Sequence, residues 1–217
     1  MELLAARPES VRCLLVSPAG YQNAGVDKLI EACRGMNVPV EEAPRAVERI
    51  SGKENSWVVT VLNKYACSLD PAANHVVLHN PSDVGNAGTI LRSALGFGFK
   101  NVAIIRPGVD PFDPRVIRAS MGAAFRAVPV STTREAAVAS CRANGVRLLA
   151  TALRADAHDL REETLSQTAV IIGSEGQGVC RELLDAADGT VIIPMQSHCE
   201  SLNAAVAATI VMWQMRR

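Results

Sequence analysis

The apolar positions fall into short β-branched runs separated by longer stretches of helical period. Runs at 11–17, 38–40 and 57–62 read as strands, and helices are predicted at 26–36 and 44–50. Ser51-Gly52 supplies a turn after the second helix. This small βαβαβ block begins almost at the first residue, so an element that should precede it is expected to be absent. A polar stretch at 67–74, with Pro71 inside it, suits a linker. From His75 onward strands and helices alternate: strands at 76–79, 102–105, 127–130, 146–151, 169–172 and 190–193, helices at 86–97, 114–124, 132–143 and 179–187. Such alternation predicts an α/β fold, a mostly parallel sheet with helices on both faces. Two domains are expected, at 1–68 and 74–217.

Ligands of such sheets bind beyond the carboxyl ends of the strands, and three strand ends here carry unusual residues. The first runs His79-Asn80-Pro81-Ser82-Asp83-Val84-Gly85-Asn86-Ala87-Gly88-Thr89-Ile90-Leu91-Arg92. Asn86 is expected to cap the following helix, whose outward face carries Arg92 beside Thr89 and Gly96. The lysine of a phosphate-binding loop is missing after Gly88, and so is the three-glycine spacing of a dinucleotide site. The second is Gly173-Ser174-Glu175-Gly176-Gln177-Gly178, where glycines permit close backbone approach to a ligand. Glu175 in its middle repels phosphate and suits a hydroxyl, an amine or a cation. The third is Ile193-Pro194-Met195, followed by Ser201-Leu202-Asn203. Ser201 is expected to cap the last helix, with Asn203 in its first turn.

That helix is apolar all round, which means burial all round. Leu202, Val206, Thr209, Ile210 and Trp213 form one stripe; Ala204, Ala208, Val211 and Met215 form another. One packs on the sheet. The second is expected to meet a second copy of the chain, and that role is given to Ala204, Ala208, Val211 and Met215. A capping box is read at Thr132-Thr133-Arg134-Glu135, and Gly145 is read as the C-terminal glycine of the same helix.

Composition narrows the classes. Lysines plus arginines number 22 and so do aspartates plus glutamates, so any nucleic-acid contact must use a local patch. The segment 100–126 is such a patch, with Lys100, Arg106, Arg115, Arg118 and Arg126 against Asp110 and Asp113. No apolar run is long enough to span a bilayer, and the start of the chain does not read as a signal peptide. Six scattered cysteines without C-x-x-C spacing read as reduced thiols of a cytoplasmic protein, not as a metal site.

Together the strand ends resemble the SpoU, or TrmH-like, branch of the SPOUT superfamily of RNA methyltransferases. Asn86, Gly88 and Arg92 are similar to its N-x-G-x-x-x-R element. Gly173, Glu175, Gly176 and Gly178 resemble its G-x-E-G-x-G element, and Ile193 to Met195 with Ser201 to Asn203 its I-P-M … S-L-N element. Arg118, Ser120, Gly122 and Ala123 look like the R-x-S-x-G-A segment between the first two. The resemblance implies a C-terminal deep trefoil knot, a homodimer, S-adenosylmethionine as cofactor and methylation of a ribose 2′-hydroxyl in rRNA or tRNA. It implies that the front block is a truncated L30e-like RNA-binding domain. Carried over residue by residue, it gives catalytic roles to Arg92, Asn86, Glu175, Ser201 and Asn203. The cofactor is expected against Thr151, Ala152, Leu153, Gly173, Ser174, Glu175, Gly176, Ile193, Met195, Ser201 and Leu202, and RNA against Arg92, Arg115 and Arg118. No metal and no membrane are expected. Methylation of a base, or binding of RNA or cofactor without catalysis, stays open as an alternative.

Overall fold

The computed structural model describes residues 1–52, 56–174, 176–196, 198–199 and 201–217. They divide into two compact units, Met1–Tyr65 and Ala66–Arg217.

The first unit holds α1 (Glu2–Ala6), β1 (Val11–Val16), α2 (Ala24–Gly35), β2 (Val40–Glu42), α3 (Pro44–Ser51) and β3 (Val58–Leu62). Its sheet has the order β2-β1-β3, with β2 parallel and β3 antiparallel to β1. Asn23 starts α2 by accepting from the N–H groups of Gly25 and Val26. Gly52, at φ 63°, ends α3 in the left-handed region. Leu4, Leu14, Val16, Val26, Ile30 and Cys33 form the core. The strand expected at 38–40 begins two residues later, because Pro39 has no N–H to pair.

The second unit runs β4 (His75–His79), α4 (Val84–Gly96), β5 (Asn101–Ile105), α5 (Pro114–Ala119), β6 (Val128–Thr132), α6 (Arg134–Ala143), β7 (Arg147–Thr151), β8 (His158–Asp159), β9 (Thr168–Ile172), α7 (Arg181–Ala186), β10 (Gly189–Ile192) and α8 (Ala204–Gln214). Seven parallel strands lie in the order β6-β5-β4-β9-β7-β10-β8. Side chains alternate across this sheet, and both faces are covered. Val76, Leu78, Val102, Ile104, Val170 and Ile172 enter one core with residues of α4 and α8. Val77, Ala103, Ile105, Ala169 and Ile171 enter the other with Ala137, Cys141 and Leu183. That is why the interior positions of these strands are apolar on both faces. The two-residue β8 has no apolar pattern and escaped the sequence reading.

Several helix ends differ from expectation. Asp83, not Asn86, caps α4: its Oδ1 accepts from the Asn86 N–H at 2.6 Å. The helix therefore starts earlier and Asn86 stands in its first turn. Asn203, not Ser201, caps α8, its Oδ1 accepting from Ala205 and Val206 N–H groups. Thr132 still belongs to β6, so Thr133 caps α6 through the Ala136 N–H. The helix expected over 114–124 breaks after Ala119, because Met121 and Gly122 adopt φ of 53° and 83°. Ser120, fully buried, bridges the break by donating to the Ile117 carbonyl and accepting from the Ala124 N–H.

The faces of α8 are also reassigned. Ala208, Val211 and Met215 are 0%, 0% and 8% exposed and lie in the core of their own chain. The exposed residues are Val206 at 47% and Trp213 at 62%. The two stripes have nearly equal apolarity, so composition could not say which faces the sheet; packing of α8 on α4 and β9 decides it.

Candidate active site

The carboxyl ends of β7, β9 and β10 open onto a cavity of about 540 Å3, a size that suits a nucleoside-like ligand. Thr151, Ala152 and Leu153 leave β7 along one wall, and Ile193 and Met195 leave β10 along another. Gly173, Ser174, Gln177 and Gly178 form a third, and Ser201, Leu202, Ala204 and Ala207 approach from the start of α8. Nine sequence candidates thus line one cavity: Thr151, Ala152, Leu153, Gly173, Ser174, Ile193, Met195, Ser201 and Leu202. Gly176 is exposed and is not among the lining residues. Glu175 lies outside the described residues.

The glycine wall is a closed turn. The Gly178 N–H donates to the Ser174 carbonyl at 2.9 Å, and Gly178 has φ 64°. A Cβ on Gly173 would stand 2.3 Å from the Gly178 carbonyl carbon, a distance no side chain can occupy. Gly173 therefore supplies close approach, whereas a Cβ on Gly176 would meet nothing within 4 Å. Close packing also explains Gly88 on α4, whose Cβ would lie 2.4 Å from that of Ala119. The R-x-S-x-G-A segment is thus the break after α5, folded tightly against the motif helix.

Two strand ends meet directly. Asn203 Nδ2 donates to Asn86 Oδ1 at 3.0 Å, across 117 residues of sequence. Beside that bond lies a smaller cleft lined by His79, Ser82, Asp83, Asn86, Gly173 and Ser174. Arg92 is exposed on α4, two turns further along, and does not line the large cavity. Arg118 is exposed as well. Arg115 is engaged: Nη2 reaches Asp113 Oδ2 at 2.7 Å, and that hydrogen bond holds the Asp113 carboxyl below the usual range. Its fork is taken up by a carboxylate within its own turn, while the side chain stays largely exposed.

Arg154, Gln177, Val179, Leu184 and Ala207 line the cavity without having been singled out in the sequence. Arg154 had a weak signal, a cation three residues past a strand end; in the structure it pairs with Asp156 at 2.8 Å. Leu184 and Ala207 had none, being ordinary helix residues. Among the described residues no cluster of metal ligands occurs and no helix is long and apolar enough to cross a membrane.

Residues 73–213 match the model of the SpoU rRNA Methylase family. The 23S rRNA (guanosine(2553)-2′-O)-methyltransferase RlmP of Bacillus subtilis is 33% identical over 134 residues, 62% of this chain and 54% of that one. An uncharacterized tRNA/rRNA methyltransferase of Mycobacterium ulcerans is 35% identical over 229 aligned positions, 96% of this chain and 74% of that one. The crystal structure of the SpoU methyltransferase AviRb from Streptomyces viridochromogenes, in complex with the cofactor AdoMet, superposes with a TM-score of 0.77. It is 27% identical, with 95% of this chain and 82% of that chain covered. The chain spans about half the length of several of the curated relatives it matches. The matched span contains every motif built into the cavity and its neighbouring cleft, and on this ground the chain belongs to the SpoU rRNA methylase family.

Proposed function

We propose that this chain is an S-adenosylmethionine-dependent RNA methyltransferase that modifies a ribose 2′-hydroxyl of rRNA or tRNA. The observation that carries the reading is the Asn86–Asn203 hydrogen bond beside a cavity lined by the other motif residues. Family membership and the AdoMet complex of AviRb point the same way.

Thr151, Ala152, Leu153, Gly173, Ser174, Ile193, Met195, Ser201 and Leu202 would hold the cofactor, largely through backbone groups. Gly176 and Glu175 keep their expected places in that loop as part of the proposal. When bound, S-adenosylmethionine supplies a methyl group on a sulfonium, already activated towards an oxygen nucleophile. The protein has then to align the 2′-oxygen and favour loss of its proton. A guanidinium stays protonated in proteins, so Arg92 acts by gripping the adjacent phosphate and stabilising the developing alkoxide. Asn86 and Asn203 order the loops around it. Arg118 binds RNA backbone, and Arg115 does so once released from Asp113.

A homodimer is part of the same reading. Leu95 on α4 and Val206 and Trp213 on α8 are exposed apolar residues, and such a strip on one chain favours a two-fold contact. Arg92 lies one turn from Leu95 and lines neither the large cavity nor the smaller cleft, and a second copy would supply a wall beside it. The knot is proposed from connectivity: β10 lies beyond β7, yet α8, which follows it in the chain, packs on α4 and β9. The first unit is proposed as the L30e-like RNA-binding domain, and six free cysteines agree with a cytoplasmic setting.

Purified protein incubated with unmodified RNA and tritiated S-adenosylmethionine should incorporate label, and alkaline hydrolysis should leave the label in an uncleaved dinucleotide. Label released as mononucleotides would replace the ribose reading with base methylation. Arg92→Lys and Arg92→Ala should each cost on the order of 100-fold in turnover, with cofactor affinity within about threefold of wild type by calorimetry. Near-normal turnover in the lysine variant overturns the role given to Arg92.

A further inference from the structure

His79 is the last residue of β4 and only 8% exposed. It stands where the sheet parts. Its neighbour Leu78 still pairs with Ile172 of β9, after which β9 turns away into the glycine wall. Its Nδ1 lies 3.2 Å from the carbonyl oxygen of Gly178. A carbonyl only accepts, so Nδ1 carries the hydrogen and donates it. The bond joins residues 99 apart in sequence. The other ties of the wall noted above, Gly178 to Ser174 and Gly173 against Gly178, are local. They shape the turn but do not fix where it stands over the cavity. His79 also lines the small cleft with Asn86 and Ser174. It therefore touches the glycine wall on one side and the motif loop of α4 on the other.

The geometry points to His79 as a positioning residue that holds the wall of Gly173, Ser174, Gln177 and Gly178 in the shape that takes the cofactor. This rests on the reading above that the cavity binds S-adenosylmethionine. A carbonyl that loses its donor shifts towards another, here the solvent beside exposed Gly178. The Gly178 carbonyl cannot do so without moving Gly173, because the two residues are in backbone contact. Loss of the imidazole N–H is thus transmitted to the residues lining the cavity.

Three substitutions test this. His79→Leu keeps bulk and removes the donor; His79→Asn returns an amide N–H near the position of Nδ1; His79→Gln carries the donor one bond too far. His79→Leu should weaken S-adenosylmethionine binding about tenfold by calorimetry, the scale of one hydrogen bond. KM for the cofactor should rise by a similar factor, kcat should fall by less, and KM for RNA should hold. In the cofactor-free protein, amide hydrogen exchange at 174–178 should quicken while β4 and β9 stay protected. His79→Asn should bring affinity and exchange back to within about threefold of wild type. Unchanged affinity and exchange in His79→Leu overturn the assignment, and so does His79→Asn behaving like His79→Leu, which would mean that only ring packing matters. Should the leucine variant fail to fold, His79→Gln takes its place, and wild-type affinity in it overturns the assignment. Wild-type protein that binds no S-adenosylmethionine overturns the functional reading and this one together. Wild-type binding that the leucine variant shares overturns this one alone.

Discussion

At the scale of single residues, two glycines of one motif do different work. Gly173→Ala drives a methyl group into the backbone of Gly178 and Val179, which cannot rotate away. Overpacking of this kind costs about 1–3 kcal/mol, and here the strain falls on a cavity wall. We expect a lower thermal midpoint and at least a tenfold loss of S-adenosylmethionine affinity. Gly176→Ala should change neither by much, since its Cβ meets open space. Calorimetry and thermal melts on the two variants check this, and equal effects would refute it. A G-x-E-G-x-G pattern marks where glycines stand but not which one meets backbone, and it is Gly173 that does. Asn203 was read more nearly: its place beside the site was legible, its double role as cap and partner of Asn86 was not.

At the scale of elements, α8 decides both packing and assembly. Val211→Arg places a charge at a fully buried site, which costs on the order of 4 kcal/mol or more when nothing pairs with it. It should lower stability severely whatever the oligomeric state. Trp213→Glu acts on the opposite face, where the indole is 62% exposed and meets Phe97 edge-on at 5.8 Å. That variant should fold and yet weaken self-association. Light scattering with thermal melts separates the two, and a Trp213→Glu protein that stays dimeric at micromolar concentration would remove this face from the interface. The period of α8 was legible in the sequence; its rotation was not, because both stripes are apolar. Likewise the capping residues of α4, α6 and α8 lie one to three positions from the expected ones, since several neighbouring side chains can cap and only the chain path selects one.

At the scale of the whole molecule, acid should loosen the second unit in two stages. Burial pushes the His75 imidazole below its ordinary 6.5, against the upward pull of the Asp70 carbonyl bond. Its Nδ1 is buried without a hydrogen-bond partner among the described residues. A depressed folded pKa means that protons bind the unfolded chain better. The stability from neutral His75 is therefore full above pH 6.5 and is lost as pH falls below it, towards the folded value. Burial would raise the Glu163 carboxyl, but hydrogen bonds from Arg147 and His158, both at 2.7 Å, outweigh it and hold the group below 4.5. Its contribution is full above that pH and is lost on further acidification. Thermal midpoints should fall from pH 7 to 5, and His75→Gln should flatten that part of the profile. Parallel profiles for variant and wild type would exclude His75 as the cause.

What the sequence determined by itself was local and periodic. Alternating β-branched runs and helical stretches specify strands and helices, and the unbroken apolar runs 76–78, 102–105 and 169–172 within β4, β5 and β9 specify a sheet buried on both faces. The chemistry-bearing segments were legible because glycine, proline and polar residues at strand ends have few structural reasons to be there. What only the tertiary structure decided was which distant parts meet. The order β6-β5-β4-β9-β7-β10-β8 sets β9 beside β4, and that adjacency brings the Gly178 carbonyl to His79. The return of the chain to α8 brings Asn203 to Asn86. Neither contact has a local signature. Each depends on closing a loop of about a hundred residues, and the free energy that closes it comes from burying the two faces of the sheet rather than from the residues that touch.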